Sequence, residues 1–498
     1  MIDQIRSLFS RWAPTAPPGN AAPAVHRIVA RARPAYEGAS TAPRAASMQD
    51  TNLGANVATM SAPTLRTRCR DAYRNDSWAR AMVDTLVDDV IGWGIKPLSR
   101  AQDEPFRQAV QALWEDWSAV ADADGMLDMA GLQAAAFREM VTGGECFIRL
   151  RRRQPGDGLP VPLQLQVLPA EICPAEYTQR APGSGNEIRA GIEYDQIGRR
   201  VAYWMREADP GDDFSLASAL GATLMHRVPV ELVLHLFDPT RPGQRRGVPW
   251  LAPALVRLHE LDKYSDATLL RLQIASMFAV FLKRDAPPTD LDAINTLTGQ
   301  PVEDATAPAI EMQAGTAQEL NPGEDVTFSD PPDPPAGFEQ FVRHELRAAG
   351  AALGVPLEAF THDWGATNDR LARVVLNQYR RRVHRILWAL VVPQFLRPLW
   401  MTWFDLALAA GKLPSTTTPR PERVAFAPHA HAYVHPVQDV QSYREAIRSG
   451  LTSRAAAVAE TGEDVEVIDA QNAADNTRAD SLKLQYDSDG RQSKGGAR

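Results

Sequence analysis

The sequence predicts an α+β protein, mainly helical, in which a small antiparallel sheet separates an opening helical group from much longer helices. Three observations predict it. Apolar residues recur at helical spacing from residue 75 to 144. Between 145 and 237 the period drops to two, as in strands with one buried face. After residue 254 helical spacing returns, in longer runs than before.

Residues 1–64 read as a flexible N-terminal arm. MIDQIRSLFSRWAP places Ile2, Ile5, Phe9 and Trp12 at helical spacing and lacks the continuous apolar stretch of a signal peptide. Residues 13–64 are rich in Ala, Pro, Ser and Thr and offer little to a core. The fold proper is expected to begin at residue 65. Asn75 or Asp76 is placed to cap a helix whose stripe is Ala79, Met82, Val83, Leu86, Val87 and Val90. Gly92 and Gly94 end it, and helices over 106–117 and 129–144 follow. ECFIRLRRR, PLQLQVLPAEIC, EIRAGIEYDQIGRRVAYWMR and VELVLHLF then alternate, with Leu163, Leu165 and Val167 opposite Gln164 and Gln166. Gly198 marks a hairpin turn.

A helix is expected from Ala254 to about Lys283, on Leu255, Leu258, Leu261, Tyr264, Leu270, Ile274, Met277 and Phe281. Residues 285–335 read as an excursion on loops and weak strands such as IEMQAG and DVTFS. Helix returns over 337–355 and stops at Pro356. A loop, EAFTHDWGATND, leads into the longest helical pattern, which Pro393 and Pro398 should kink. A Pro/Thr linker and the strand-like VAFAPHAHAYVHP precede two short helices around Gly450 and Gly462. Residues 473–498 read as a disordered tail.

Composition excludes several classes. A formal net charge of −8 is wrong for a protein that coats nucleic acid over most of its surface, so any DNA contact must be local. Cys69, Cys146 and Cys173 are far apart and form no CxxC pair, which fits a reducing compartment. The most hydrophobic stretch, 386–410, is broken by Arg397, Asp405 and two prolines before a membrane span accumulates. No GxxxxGK[ST], GxSxG or HExxH occurs. DADGMLD fails as a calcium loop, because counting from Gly125 puts Val120 and Gly131 where acids belong. His429, His431 and His435 stand at even spacing, as zinc ligands on a strand could, but no acid or cysteine stands near them. No cofactor is expected and no enzyme is indicated. The alternatives kept open are a DNA-packaging motor or DNA-processing subunit, and a metallohydrolase on the three histidines.

Two basic stretches remain. RPGQRRGVPWLAP, 241–253, has Arg241, Arg245 and Arg246 among Gly243, Gly247 and Pro249, without the lysine and hydroxyl of a phosphate cradle. It reads as a joint in which the glycines and Pro249 set the turn, Trp250 anchors it, and the arginines face a neighbouring subunit. Residues 370–385 carry six arginines and no acid, with apolar residues between them. That pattern fits an interface, through Arg380, Arg381 and Arg382 among others, as well as a solvated helix face.

Taken in order, these segments resemble the phage portal proteins of the lambda type. The residues that carry the resemblance are RNDSWARAMVDTLVDDVIGWGIKP, LWEDW followed by DADG, GGECFIR, LQLQVLPAE, GIEYDQIGRRVAYW, HLFDPTRPGQRRGVPWLAPAL, LDKYSDATLLRLQIAS and PPAGFEQFVRHELRAAGAALGVPLEAFTHD. The resemblance implies an α+β portal fold and a homo-oligomeric ring of about twelve copies with head-to-tail contacts. Double-stranded DNA would pass through it at one capsid vertex. It implies as partners the terminase large subunit, a head-tail adaptor, and the major capsid and scaffold proteins, with a place in the virion after assembly in the host cytoplasm. Residues 65–250 would be the wing, 251–284 and 336–355 the stem, and 285–335 the clip. Residues 356–370 would be the tunnel loop, with Thr361, His362, Asp363, Trp364, Asn368, Asp369 and Arg370 at the channel. Residues 371–412 would pack back into the wing, 413–436 would be linker and strand, and 437–472 a helical crown. The family pattern Asn-Tyr-Ser-Ser-Arg is replaced here by Asn368-Asp369-Arg370-Leu371, so Asp363 and Asp369 are expected to present negative charge to the bore.

Overall fold

The computed structural model describes residues 54–207, 224–277, 280–284, 324–328, 337–365, 367–414, 423–429 and 436–484. Its centre is a three-stranded antiparallel sheet, order β3-β2-β9, formed by β2 (Glu145–Arg152), β3 (Leu163–Leu168) and β9 (Val233–Phe237). Both faces are covered, because β2 alternates between two cores. Cys146, Ile148 and Leu150 point into a large helical core, and Phe147 points into a second core against another sheet.

The helical layer begins with α1 (Ala58–Asn75), α2 (Ser77–Val90), α3 (Glu104–Ser118) and α4 (Met129–Gly143). Asp76, rather than Asn75, caps α2, its carboxylate accepting from the Trp78 and Ala79 amides at 2.8 and 3.0 Å. All six residues of the expected α2 stripe are buried. The fold starts earlier than residue 65: Ala62 and Arg66 of α1 are buried. The proline-rich composition around Pro63 concealed that turn, which Arg66 stabilises by bonding to the Gly143 carbonyl at 2.9 Å.

The second sheet is a five-stranded antiparallel meander of β4 (Gln179–Arg180), β5 (Glu187–Arg189), β6 (Ile192–Tyr194), β7 (Arg200–Arg206) and β8 (Met225–Pro229). The β6–β7 hairpin turns at Gly198, whose φ of 82° favours glycine. A further pair joins distant parts of the chain: β1 (Lys96–Ser99) runs antiparallel to β12 (Val424–Ala427). The expected strand over 413–436 thus has a partner more than 300 residues away in sequence.

The long helix α5 spans Leu255–Met277 and does not continue to Lys283. Val280–Arg284 is instead a strand, β10, paired with β11 (Glu324–Phe328), the expected DVTFS strand. Val280 and Phe281 favour a pleated ribbon over another helical turn once a partner strand is present. IEMQAG lies outside the described residues. Helix α6 (Phe338–Leu353) returns along α5, with Arg257 and Glu345 2.7 Å apart and the Tyr264 ring centre 5.0 Å from that of Phe341.

The expected loop after Pro356 holds a short helix, α7 (Leu357–Thr361). Helix α8 (Asp369–Ile386), a π-helical stretch over Leu387–Leu396 and α9 (Arg397–Ala409) then form one run. Pro393 lies inside the π stretch, where re-registered hydrogen bonds take up the missing N–H donor. Pro398 falls in the first turn of α9, which tolerates it. At the C-terminal end there are three helices, not two: α10 (Pro436–Arg448), α11 (Arg454–Glu460) and α12 (Val465–Leu482). The last reaches into the expected tail, and its Glu466 pairs with Arg107 of α3 at 2.6 Å.

A tryptophan cluster locks α9 onto α3. The Trp114 ring centre lies 4.9 Å from Trp117, 5.3 Å from Trp400 and 5.0 Å from Trp403. Trp403→Ala should therefore lower unfolding stability by about 3–5 kcal/mol, read as a shift of the urea midpoint with little change in slope.

Candidate functional site

Between the sheets and α5 the chain makes a tight turn around Gln244. Its side-chain oxygen accepts from the Thr240 amide, the Thr240 hydroxyl and the Arg241 amide, while Gly243 takes a φ of 81°. Asn56, two residues before α1, ties this turn to the start of that helix, accepting from the Arg245 amide at 2.9 Å. Gly247 then passes so close to Gly144 that an added Cβ would collide with the Gly144 carbonyl oxygen. Pro249 packs on Gly144 from the other side, and the Trp250 amide bonds to Val141 at 3.0 Å. The two glycines let the joint lie directly on the end of α4.

Beneath the joint is Glu145, the first residue of β2 and 1% exposed. Arg246 reaches it from the joint with Nη2 2.6 Å from Oε1, and Arg66 reaches it from α1 at 3.3 Å. His235 of β9 places Nε2 3.0 Å from Oε2, and the Gly247 amide donates to the same oxygen at 3.0 Å. Arg246 also donates to the carbonyls of Ala190, Cys173 and Ala170 at 2.7, 2.8 and 3.3 Å and lies 5.5 Å from the centre of the Phe147 ring. One guanidinium thus holds both sheets and the joint together.

The electrostatics follow from burial and partners. Burial alone would raise the Glu145 carboxyl, but Arg246 and the His235 hydrogen bond hold it far below the usual carboxylate range. Burial would lower the Arg246 guanidinium, and Glu145 more than reverses this. Burial pushes His235 down to about 4 against the pull of Glu145, so its imidazole is neutral at pH 7. A neutral ring fits the geometry: Nε2 donates to Glu145 and Nδ1 accepts from Arg200 at 3.3 Å. Nearby, Arg70 joins Glu171 at 2.8 Å and pairs with Glu139, whose carboxyl burial raises to about 7.

This placement corrects the reading of Arg246 as an inter-subunit charge, since it is 1% exposed and satisfied inside the subunit. Arg245 is half-buried, 5.3 Å from the centre of the Tyr194 ring, and Arg241 is exposed. Arg382 is also an internal contact: it lies 5.8 Å from the centre of Trp250 and fills the space beside Gly354 that a side chain there would need. Arg381 is exposed and Arg380 half-buried. Trp250 sets its edge against Phe137 at 6.1 Å, as an anchor would.

At the end of α7 the Thr361 hydroxyl donates to the Leu357 carbonyl at 2.8 Å, and in the loop that follows His362 takes a left-handed φ of 56°. Asp363 does not stand as a bare negative charge, because Arg343 of α6 donates to it at 2.7 Å. Its other oxygen accepts from the Gly365 amide at 3.2 Å. Trp364 is half-buried. Asn368 is the cap of α8, accepting from the Leu371 amide at 2.8 Å, and Arg370 is exposed. Asp369 opens that helix. Sequence reading missed Arg343, which carries no motif and is recognisable only by its place opposite the loop.

No group of three His, Cys, Asp or Glu side chains able to hold a metal occurs among the described residues. His429 is buried against Trp93, with ring centres 5.6 Å apart, while His431 and His435 lie outside the described residues. Asp122 of the DADG turn spends its carboxylate on the amides of Asp124, Met126 and Leu127. No helix among the described residues is long and apolar enough to cross a membrane.

Comparison with known proteins places the chain. The family described as phage portal protein, lambda family, matches residues 41–386. The probable portal protein of Halomonas phage phiHAP-1 is 24% identical over 404 residues, covering 78% of this chain and 74% of that one. Portal protein B of Escherichia phage lambda is 21% identical over 475 residues, covering 84% of each. Among solved structures, a chain from the neck of an empty gene transfer agent particle has a TM-score of 0.47 at 16% identity, over 84% of this chain and 96% of that one. The protein is thus a portal protein, a structural component of the phage head and not an enzyme. It belongs to the lambda family of phage portal proteins.

Two outcomes test the buried joint. Arg246→Met strands the Glu145 carboxylate and should cost about 3–5 kcal/mol of folding stability, whereas Arg245→Glu should stay within about 1 kcal/mol, both by urea unfolding. His235 binds a proton in the unfolded chain near its ordinary value of 6.5 but in the folded chain only near 4. Stability therefore falls as pH drops through that window. Wild type should lose about 3 kcal/mol relative to His235→Gln between pH 7 and pH 4, a difference that also cancels the opposite contribution of Glu139.

Proposed function

We propose that copies of this chain join head to tail into a closed ring of about twelve subunits at one capsid vertex, around a bore for double-stranded DNA. The observation that carries this reading is the α5/α6 hairpin. It runs back on itself, ends in a two-stranded ribbon, and leaves Val256, Leu269, Leu270 and Phe341 exposed. Apolar side chains along a helical pair gain their burial from the same pair in the next copy. At about 1.5 Å per residue, α5 alone is roughly 35 Å long, enough to wall a channel.

In such a ring α5 and α6 form the stem, and the loop after α7 together with the start of α8 meets the DNA through His362, Trp364 and Arg370. The Arg343–Asp363 pair holds that loop to the stem, so loop and stem move together when DNA passes. Pairing also reduces the net charge the loop presents, which neither grips nor strongly repels a sliding duplex. Work for translocation comes from a separate ATPase, in keeping with a sequence that has no GxxxxGK[ST]. The terminase large subunit docks during packaging and the head-tail adaptor afterwards, on residues 285–335. Scaffold and major capsid proteins meet the wing during assembly in the host cytoplasm.

Negative-stain images of the purified protein should show rings with a central hole. Leu270→Glu should shift the population to monomers while leaving the urea midpoint of the monomer within about 0.5 kcal/mol of wild type. Wild type that stays monomeric in every condition would overturn the reading.

A further inference from the structure

The face of β2 that begins at Glu145 and Phe147 does not end in the core. Two residues further it becomes Arg149, then Arg151, then Arg153, while Arg152 lies on the opposite face. Across the ladder Arg149 stands opposite Gln166 and Arg151 opposite Gln164. These glutamines aim the arginines without neutralising them. Gln166 Oε1 accepts from Arg151 Nε at 2.9 Å, and Gln164 Oε1 accepts from Arg153 Nε at 2.9 Å. Gln164 is itself pinned by its amide, which donates to the Val120 and Asp122 carbonyls at 3.1 and 2.8 Å.

Among the described residues no carboxylate pairs with Arg149, Arg151 or Arg153. In the sequence no acid occurs between Glu145 and Asp157. The guanidinium groups feel one another: after burial, the charges of Arg149 and Arg153 push Arg151 down, offset only by Asp124. In a chain of formal charge −8, like charges held in a row by neutral partners mark a place where an anion lowers the energy.

We propose that Arg149, Arg151 and Arg153 form a binding track for the phosphate backbone of duplex DNA lying outside the bore. Alternate residues on a strand repeat at about 6.8 Å, twice the axial rise of about 3.4 Å per phosphate of one DNA strand. The face offers arginine and glutamine, the side chains of phosphate contacts, and no aromatic anchor of the kind protein interfaces centre on. The contact reads no sequence and is lost as salt rises.

The test uses the full-length protein and a fluorescent, covalently closed DNA minicircle, which has no end to thread a ring. Wild type should bind the circle with an affinity that falls steeply with salt. Replacing Arg149, Arg151 and Arg153 together by Gln should reduce the slope of log K against log salt by about three, and the matching Lys replacements should restore most of it. Rings counted by negative stain should be unchanged in both variants, so that failure of the ring reading registers separately. Equal binding by wild type and the Gln variant would overturn the proposal. So would circle binding that survives in the Gln variant while binding of a poly-glutamate probe is lost, which would assign the face to an acidic protein.

Discussion

A carboxylate buried at the start of β2 costs several kcal/mol unless charges and donors meet every lone pair, and Glu145 is met from four directions. Those directions belong to different parts of the chain: α1 through Arg66, β9 through His235, and the joint before α5 through Arg246 and the Gly247 amide. Arg246 extends the same constraint to the second sheet through three carbonyls. Apolar packing could hold these elements close, but it would tolerate a slip. A buried ion pair with fixed donors tolerates one arrangement, and it sets where α5 leaves the two sheets.

That position matters for the proposed ring, which would multiply small errors. In the proposed ring, a long helix that left each subunit at a variable angle could not close with its neighbours. The glycines at 144 and 247 serve the same end, since backbone contact leaves less play than side-chain contact. Arg382 of α8 braces the joint through the Trp250 ring, and Asn368 caps that same helix at the loop. A path of rigid contacts therefore runs from the core around β2 to the loop proposed to touch DNA, with Arg343–Asp363 as its last link.

Much of the fold was legible in the sequence because it rests on periodicity. The α2 stripe, the Leu163/Leu165 face and the Gly198 hairpin follow from local spacing. The end of α5 was not legible, since Phe281 continues the helical stripe until a partner strand is supplied from Glu324–Phe328. The start of α1 hid behind Pro63, and only Glu145, far along the chain, makes sense of Arg66 in that turn. For the site, Gly243, Gly247, Pro249 and Trp250 stand out in the sequence as turn formers beside an apolar ring, and they lie at the joint against Gly144 and Phe137. Arg246 was read as facing outward because a sequence shows a charge but not the buried carboxylate that answers it. Arg343 escaped notice for the same reason in reverse, as one arginine among many.

The central claim is that Glu145 and Arg246 act as a coupled pair inside the subunit. A double-mutant cycle of Glu145→Gln, Arg246→Met and the two together, read by urea unfolding at pH 7, measures it most directly. The account predicts a coupling energy of at least about 2 kcal/mol, with the double variant more stable than the sum of the single losses requires. Losses that add to within about 0.5 kcal/mol would contradict it, and the joint before α5 would then owe its position to packing alone.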